Sequence, residues 1–542
     1  MPLLSWAGKE KVVNHHNEVA FHVLERKWQA GEGDNMIVHG DNLLALKALL
    51  PQYEGRVKCI YIDPPYNTGN EEWVYNDNVN DPQIKKWLGE VVGKEGEDFS
   101  RHDKWLCMMY PRLRLLQKLL AEDGAIFISI DENELYSLKY VCDEIFGSSN
   151  FIGQWSWYKS ATPPNLSHKV KRNLEYVLCY EKCRTNLKYR GIQKTSPSDD
   201  PLIKPQNSFK MLKFPAGSIH FKGRVNGQIE AGIYGTAKYP NRLLNNVQIA
   251  DGTNTNEAVF ENRFIWQQRK LDEELENGTT INCSRQLVLS YKKANYDPEV
   301  PPSLIDISVG VETTEEAGKA LALMFDGRSV FDYPKPPSLI AYLLGFICDK
   351  DSIVLDSFAG SGTTAHAVLQ LNAADGGHRK FILVEMMDYA ESVTAERVKR
   401  VIEGYGEGDK AVAGTGGGFG FYELGKPMMV DGNLNEELPV ERIREYVWHM
   451  ETRGMGNAGN GKMLSLTSVA HDPYLLGVAD GTAYYFCYEK GTEVTLNRAL
   501  LGKLKTRAER YVVYADVCLL DEAELEKFGI AFKKIPRDIG GF

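Results

Sequence analysis

The feature that most constrains this chain is IVLDSFAGSGTTAHAVL, residues 353–369. An apolar strand runs into a glycine-rich turn, and the turn opens a helix. Gly360 and Gly362 let a backbone approach a ligand at the carboxyl end of a sheet strand. Around it, β and α patterns alternate. Short apolar runs at 36–39, 57–62, 125–130, 175–180, 353–356 and 381–385 predict strands. Helical spacing at 42–50, 105–120, 131–146, 338–349, 361–371 and 392–403 predicts helices. Continuous apolar strands alternating with helices predict a mostly parallel sheet covered on both faces.

An acid at the end of the strand that follows, Glu385, is placed to accept hydrogen bonds from two ribose hydroxyls. Gly360-x-Gly362-x-x-Ala365 followed by this Glu also fits the dinucleotide fingerprint. The motif therefore implies an adenosine-containing cofactor without separating a nicotinamide dinucleotide from S-adenosylmethionine. It is no phosphate loop, because no Lys precedes Thr363. A tight turn with no ligand uses glycines too.

A second motif, YIDPPYNTG (61–69), closes the strand at 57–62. Neither proline offers an N–H, so the strand ends there. The turn brings together a carboxylate (Asp63), a carbonyl (Pro64), a rigid Pro65 and an aromatic ring (Tyr66). An exocyclic amino group on a nucleobase is a weak nucleophile, since its lone pair is delocalised into the ring. Asp63 and the Pro64 carbonyl would accept its two hydrogens and stabilise positive charge growing on nitrogen. Tyr66 would stack on a base extruded from its duplex. The plainer reading is a rigid Pro-Pro turn with a surface Tyr.

Net charge is −10, against the basic footprint usual in nucleic-acid binders. Residues 184–250 reverse that balance with eleven basic residues against Asp199, Asp200 and Glu230, among interleaved aromatics. Lys210, Lys213, Lys222, Arg224, Lys238 and Arg242 are the candidates for phosphate or base contacts, and a solvated basic face is the alternative. In the strand-like SIHFKGRV, alternation would send Lys222 and Arg224 to one face.

Together these motifs resemble the β group of DNA amino-methyltransferases, and within it the modification subunits of type III restriction-modification systems. In that group the Asp-Pro-Pro-Tyr motif precedes the Phe-x-Gly-x-Gly motif, with a target-recognition domain between. Here Asp63-Pro64-Pro65-Tyr66 precedes the basic segment and then Phe358-Ala359-Gly360-Ser361-Gly362. The resemblance covers nearly all of 35–405, and the tail YVVYADVCLLDEAELEKFGIAFKKIPRD (511–538) is similar too.

The resemblance implies a Rossmann-like α/β methyltransferase fold with circularly permuted motif order. It implies S-adenosylmethionine as cofactor and methylation of adenine N6 in double-stranded DNA. Asp63, Pro64, Pro65 and Tyr66 would carry catalysis. Asp41, Lys335, Asp356, Phe358, Gly360, Gly362, Thr363 and Glu385 would line the cofactor site, with Lys335 in the helix-opening motif beside the methionine part. Asn173-Leu174-Glu175-Tyr176 matches a strand-entry motif near the target base. A homodimer and a separate helicase-nuclease restriction subunit are the partners it implies.

The alternatives weigh less. Enzymes acting on cytosine N4 usually carry Ser-Pro-Pro, and glutamine methyltransferases Asn-Pro-Pro-Tyr with the cofactor motif first. A solitary methyltransferase without a nuclease fits the same residues. A dehydrogenase needs a hydride-transfer site, for which no candidate is found. A non-catalytic DNA-binding relative would be expected to lose Asp63 or the glycines.

The expected organisation is an N-terminal segment (1–35), the first half of the methyltransferase domain (36–182) and a β-rich target-recognition domain (183–325). The second half (326–410) and a smaller C-terminal α/β domain (411–542) follow, the last boundary set at the glycines of GTGGGFG (414–420) and a hairpin placed at Asp480-Gly481. The nine cysteines include no C-x-x-C, so reduced thiols and no metal site are expected. With no signal peptide and no apolar run of about 20 residues, the expected place is the cytoplasm and no membrane.

Overall fold

The computed structural model describes residues 4–68, 101–162, 169–191, 198–236, 239–294, 296, 298–452, 462–463, 472 and 474–537. Two compact units result, one of Met1–Tyr189 with Pro302–Phe542, the other Arg190–Pro301.

The larger unit is built on a ten-stranded sheet. Its strands are β1 (His22–Gly31), β2 (Asn35–His39), β3 (Val57–Ile62), β4 (Leu120–Ile130), β5 (Phe151–Tyr158), β6 (Leu174–Glu181), β7 (Leu304–Ile305), β8 (Ile353–Asp356), β9 (Lys380–Glu385) and β10 (Gly418–Pro427). The spatial order is β1-β10-β2-β9-β8-β3-β4-β6-β5-β7. The six strands from β10 to β4 are mutually parallel. β1 closes one side antiparallel, and β6 runs antiparallel between β4 and β5 at the other.

Alternation along each strand decides what covers each face. Ile60 and Ile62 of β3 face one core, with Leu43, Leu46 and Leu50 of α1 (Asn42–Tyr53) and the inner face of α2 (Arg101–Leu119). Cys59 and Tyr61 face the other, with Leu339, Leu343 and Leu344 of α3 (Pro337–Ile347) and Ala365 and Val368 of α4 (Thr363–Asp375). Strands buried on both faces are apolar throughout, which is why the sequence pattern was continuous.

Three expectations need correction. The boundary set at the glycines of 414–420 does not end the central sheet. Gly418 opens β10, which pairs with β1 and β2, and a Cβ there would collide with the backbone of Gly31 and Glu32. The central sheet therefore extends past residue 410 and begins before 36. The insert is Arg190–Pro301 rather than 183–325, because β7 pairs with β5 and helix Thr314–Met324 packs Leu321 and Met324 into the large core. Finally, α2 ends at Leu119 and β4 starts at Leu120, with a bulge between the pairs Val57–Leu120 and Cys59–Ala125.

The insert is β-rich. A seven-stranded and a four-stranded sheet enclose one core that includes Leu212, Phe214, Phe260 and Ile281. Beyond β10 lies a five-stranded sheet in which the hairpin of Leu475–Ala479 and Thr482–Phe486 turns at Asp480 (φ 47) and Gly481 (φ 72), positive at both central positions as a type I′ turn requires.

Candidate active site

Parallel strands deliver their carboxyl ends to one edge of the sheet. The order β2-β9-β8-β3 therefore sets Asp41, Glu385, Asp356 and Asp63 side by side along that edge. β6 runs the other way, so its first residues reach the same edge and bring Glu175 there.

Around the glycine turn, Gly360 (φ 54) and Gly362 (φ 84) are left-handed. At Gly362 a Cβ would lie 3.1 Å from the Thr394 carbonyl oxygen. Glu385 Oε2 accepts from the Gly360 N–H at 2.7 Å and Oε1 from Met387 N–H at 3.1 Å. Burial nevertheless pushes this carboxyl up to about 7. Burial raises Asp356 to about 7 as well, although it accepts from the Phe358 N–H (3.0 Å) and the Thr364 hydroxyl (2.5 Å). The buried Arg397 guanidinium donates to Ser361 Oγ at 2.6 Å and Thr363 Oγ1 at 2.8 Å, which anchors the turn from beneath. Asp41 caps α1, accepting from Leu43 N–H at 2.8 Å and Leu44 N–H at 3.2 Å.

The second cluster surrounds Asp63. The Tyr66 hydroxyl donates to Asp63 Oδ1 at 2.7 Å, and Lys335 Nζ donates to Oδ2 at 2.7 Å. Lys335 also lies 3.4 Å from Glu175 Oε2 and 5.1 Å from the Tyr66 ring centre. Lys159 pairs with Glu175 Oε1 at 2.9 Å. Burial opposes charge on Lys335 and on Glu175. Facing carboxylates outweigh it and raise Lys335, and facing ammonium groups outweigh it and lower Glu175. The cluster is thus three ion pairs that share Lys335 and Glu175. Pro65 is held through its carbonyl, which accepts from Trp105 Nε1–H at 2.6 Å.

The structure joins the clusters through Thr363, whose hydroxyl donates to the Lys335 carbonyl at 3.1 Å. Glu175 was read only as part of a strand-entry motif, and Lys159 and Arg397 were not singled out. A carboxylate opening a buried apolar strand was the available signal for Glu175. Arg397 sits in a helix that reads as ordinary, and nothing in the sequence marked it.

The basic candidates lie in the insert. The strand Ile219–Phe221 ends before Lys222, and Gly223 turns at φ 77, so the alternation expected for Lys222 and Arg224 does not exist. Lys222 is ion-paired with Asp199. Lys210 and Lys213 stand three apart on Lys210–Phe214 and point to opposite faces. Arg242 pairs with Glu261 at 2.8 Å and lies 5.3 Å from the Phe209 ring centre. Lys238 lies outside the described residues.

A mostly parallel sheet with a glycine turn, and an acid closing the adjacent strand, is the arrangement of α/β proteins that bind adenosine-containing ligands. The chain belongs to the DNA methylase family, whose model matches residues 57–396. It is 34% identical over 367 residues to the type III restriction-modification enzyme StyLTI Mod subunit of Salmonella typhimurium, covering 64% of this chain and 52% of that subunit. It is 31% identical over 352 residues to the type II methyltransferase M.KpnI of Klebsiella pneumoniae, covering 64% of this chain and 79% of that one. The chain thus spans about half the length of the type III subunit it matches. The solved structure of the M1.HpyAVI–SAM complex is similar with TM-score 0.30 and 14% identity, over 67% of this chain and 98% of that one. Among the described residues no helix is long and apolar enough to cross a membrane.

Proposed function

We propose that this chain transfers a methyl group from S-adenosylmethionine to N6 of an adenine turned out of double-stranded DNA. We propose further that it serves as the modification subunit of a type III restriction-modification system. The observation that carries this reading is the adjacency of β3 and β8. Asp63 leaves one strand and the glycine turn leaves its neighbour, so an amino-group acceptor stands next to a cofactor turn. In this reading the motif order is permuted, since the strand bearing the acceptor comes first in the chain.

The residues fit the cofactor. Glu385 stands at the cofactor turn, with Oε2 on the Gly360 N–H and Oε1 on the Met387 N–H, and its carboxylate is the acceptor offered to the ribose hydroxyls. The left-handed Gly360 and Gly362 carry no side chain at two positions of the turn. Glu385, Phe358, Gly360 and Gly362 would hold S-adenosylmethionine, with Asp41, Lys335, Asp356 and Thr363 close behind. When bound, it supplies an electrophilic methyl group. Asp63 and the Pro64 carbonyl accept the two amino hydrogens, which frees the nitrogen lone pair. Asp63 takes up the proton that the alkylated nitrogen must shed. Tyr66 offers its ring to the base. Adenine is favoured over cytosine by the aspartate that opens the Pro-Pro-Tyr turn.

The 190–301 unit is the proposed target-recognition domain, with Lys210, Lys213, Lys222, Arg224, Lys238 and Arg242 as the residues to test. A homodimer and a cytoplasmic location belong to the same proposal. Methyl transfer from labelled S-adenosylmethionine to duplex DNA, followed by nucleoside analysis, tests it. N6-methyladenine is the expected product. N4-methylcytosine would overturn the base assignment, and absence of label would overturn the reading.

A second reading, a solitary methyltransferase without a nuclease, is favoured by the fuller coverage of M.KpnI. Co-purification of a helicase-nuclease from the native cell would decide for the type III assignment.

A further inference from the structure

Two donors hold Asp63, and each also reaches a second carboxylate. The Tyr66 hydroxyl lies 2.7 Å from Asp63 Oδ1 and 3.1 Å from Glu175 Oε2. It carries one hydrogen and serves one acceptor at a time. The Lys335 ammonium lies 2.7 Å from Asp63 Oδ2 and 3.4 Å from the same Glu175 oxygen. The side chains of Lys335, Asp63 and Glu175 are 8%, 14% and 9% exposed, so little water is available to replace a lost partner.

An amino group that takes Asp63 as its acceptor competes with both donors. A hydroxyl or ammonium then stranded in a dry site would oppose entry of the base, because an unpaired buried charge is strongly unfavourable. We infer that Glu175 is a positioning residue, the reserve acceptor that takes over the Tyr66 hydroxyl and the Lys335 ammonium when Asp63 turns to the target amino group. Glu175 acts through these two residues and touches no substrate. Lys159 occupies its other oxygen at 2.9 Å and leaves Oε2 directed at the two donors. The antiparallel course of β6 is what brings a third carboxylate to an edge otherwise served by parallel strands.

This inference rests on the methyl-transfer reading and sharpens it. The test uses the full chain with Glu175→Gln, which keeps the shape and loses the charge. We expect kcat for methyl transfer to fall about 10- to 100-fold, with S-adenosylmethionine affinity by calorimetry within twofold of wild type. Fluorescence of 2-aminopurine placed at the target adenine should show less of the extruded base at equal DNA occupancy.

Lys335→Met combined with Glu175→Gln removes the stranded ammonium together with its reserve acceptor. Its loss should be at least fivefold smaller than the product of the two single losses. Should Glu175→Gln fail to fold, Glu175→Asp carries the test, with an intermediate loss of kcat at unchanged cofactor affinity expected. Wild-type kcat in the single variant, strictly multiplicative losses in the double, or a parallel loss of cofactor affinity would each overturn the role. A wild-type chain that methylates no DNA would instead refute the underlying activity, so the two failures are distinguishable.

Discussion

If the Glu385 carboxylate accepts ribose hydroxyls, affinity for S-adenosylmethionine must follow its charge. Burial holds this carboxyl at about 7 in the free protein. About a tenth of it is ionised at pH 6 and about nine-tenths at pH 8, so affinity through this group should rise about tenfold across that range. Glu385→Gln removes the titration. The cofactor's own ionisations are common to both proteins and cancel when wild-type affinity is divided by variant affinity at each pH. Calorimetry at pH 6, 7 and 8 should give a ratio rising about tenfold, with its midpoint near 7. At pH 8 the variant should bind about 10- to 150-fold more weakly, the worth of a charge-assisted hydrogen bond of about 1.5–3 kcal/mol. A ratio flat with pH would refute the argument that an ionised Glu385 meets the ligand. Without ligand the same carboxyl works against folding. Its folded value of about 7 exceeds the ordinary 4.5. The stability it permits is fully present below about pH 4.5 and is lost as pH rises through 7, by about 3 kcal/mol at most. The melting temperature of cofactor-free wild type should therefore drop more between pH 5 and 8 than that of Glu385→Gln.

Asp63→Ala should abolish methyl transfer and leave calorimetric S-adenosylmethionine binding within a few-fold of wild type; near-normal turnover would remove Asp63 from the mechanism. Tyr66→Phe should lose about 3- to 10-fold in kcat, because the ring stays and one hydrogen bond worth about 0.5–1.5 kcal/mol goes. Tyr66→Ala should lose far more, and equal activity of the two would exclude stacking. Gly418→Ala should destabilise by about 1–3 kcal/mol or more through overpacking between β10 and the β1–β2 turn; an unchanged melting temperature would contradict the close backbone approach. In the insert, Lys213→Ala should reduce the slope of log affinity against log salt by about 0.9 if it meets phosphate, whereas the ion-paired Lys222 should change it less.

What was legible in the sequence follows from range. The strand at 57–62 and the strand at 353–356 emerge with the bounds their apolar runs implied, since a strand buried on both faces writes itself residue by residue. The glycine turn and the Pro-Pro turn were legible because each is a local backbone requirement. The glycines at 414–420 misled for the opposite reason. A glycine tolerates both a free linker and a contact too close for any Cβ, and only the presence of Gly31 and Glu32 across from Gly418 distinguishes them. The Lys222–Arg224 reading failed on one residue, because Gly223 turns the chain where alternation needed an extended strand.

The carboxyl edge of the sheet carries the same lesson further. Asp63 and Lys335 are 272 residues apart and meet at 2.7 Å. The sequence offered a reason for each alone, a base acceptor and a neighbour of the cofactor's methionine part, and no reason for them to touch. Glu175 joins them only because β6 runs against its neighbours, and strand direction is a property of the sheet that no local pattern records. Local patterns therefore name the candidate groups, and topology decides which of them share a hydrogen bond or a charge. The residues that position Asp63 are accordingly those on which mutational tests carry the most new information. The motif residues are already implicated by their own spacing, and Glu175 is implicated only by where the sheet puts it.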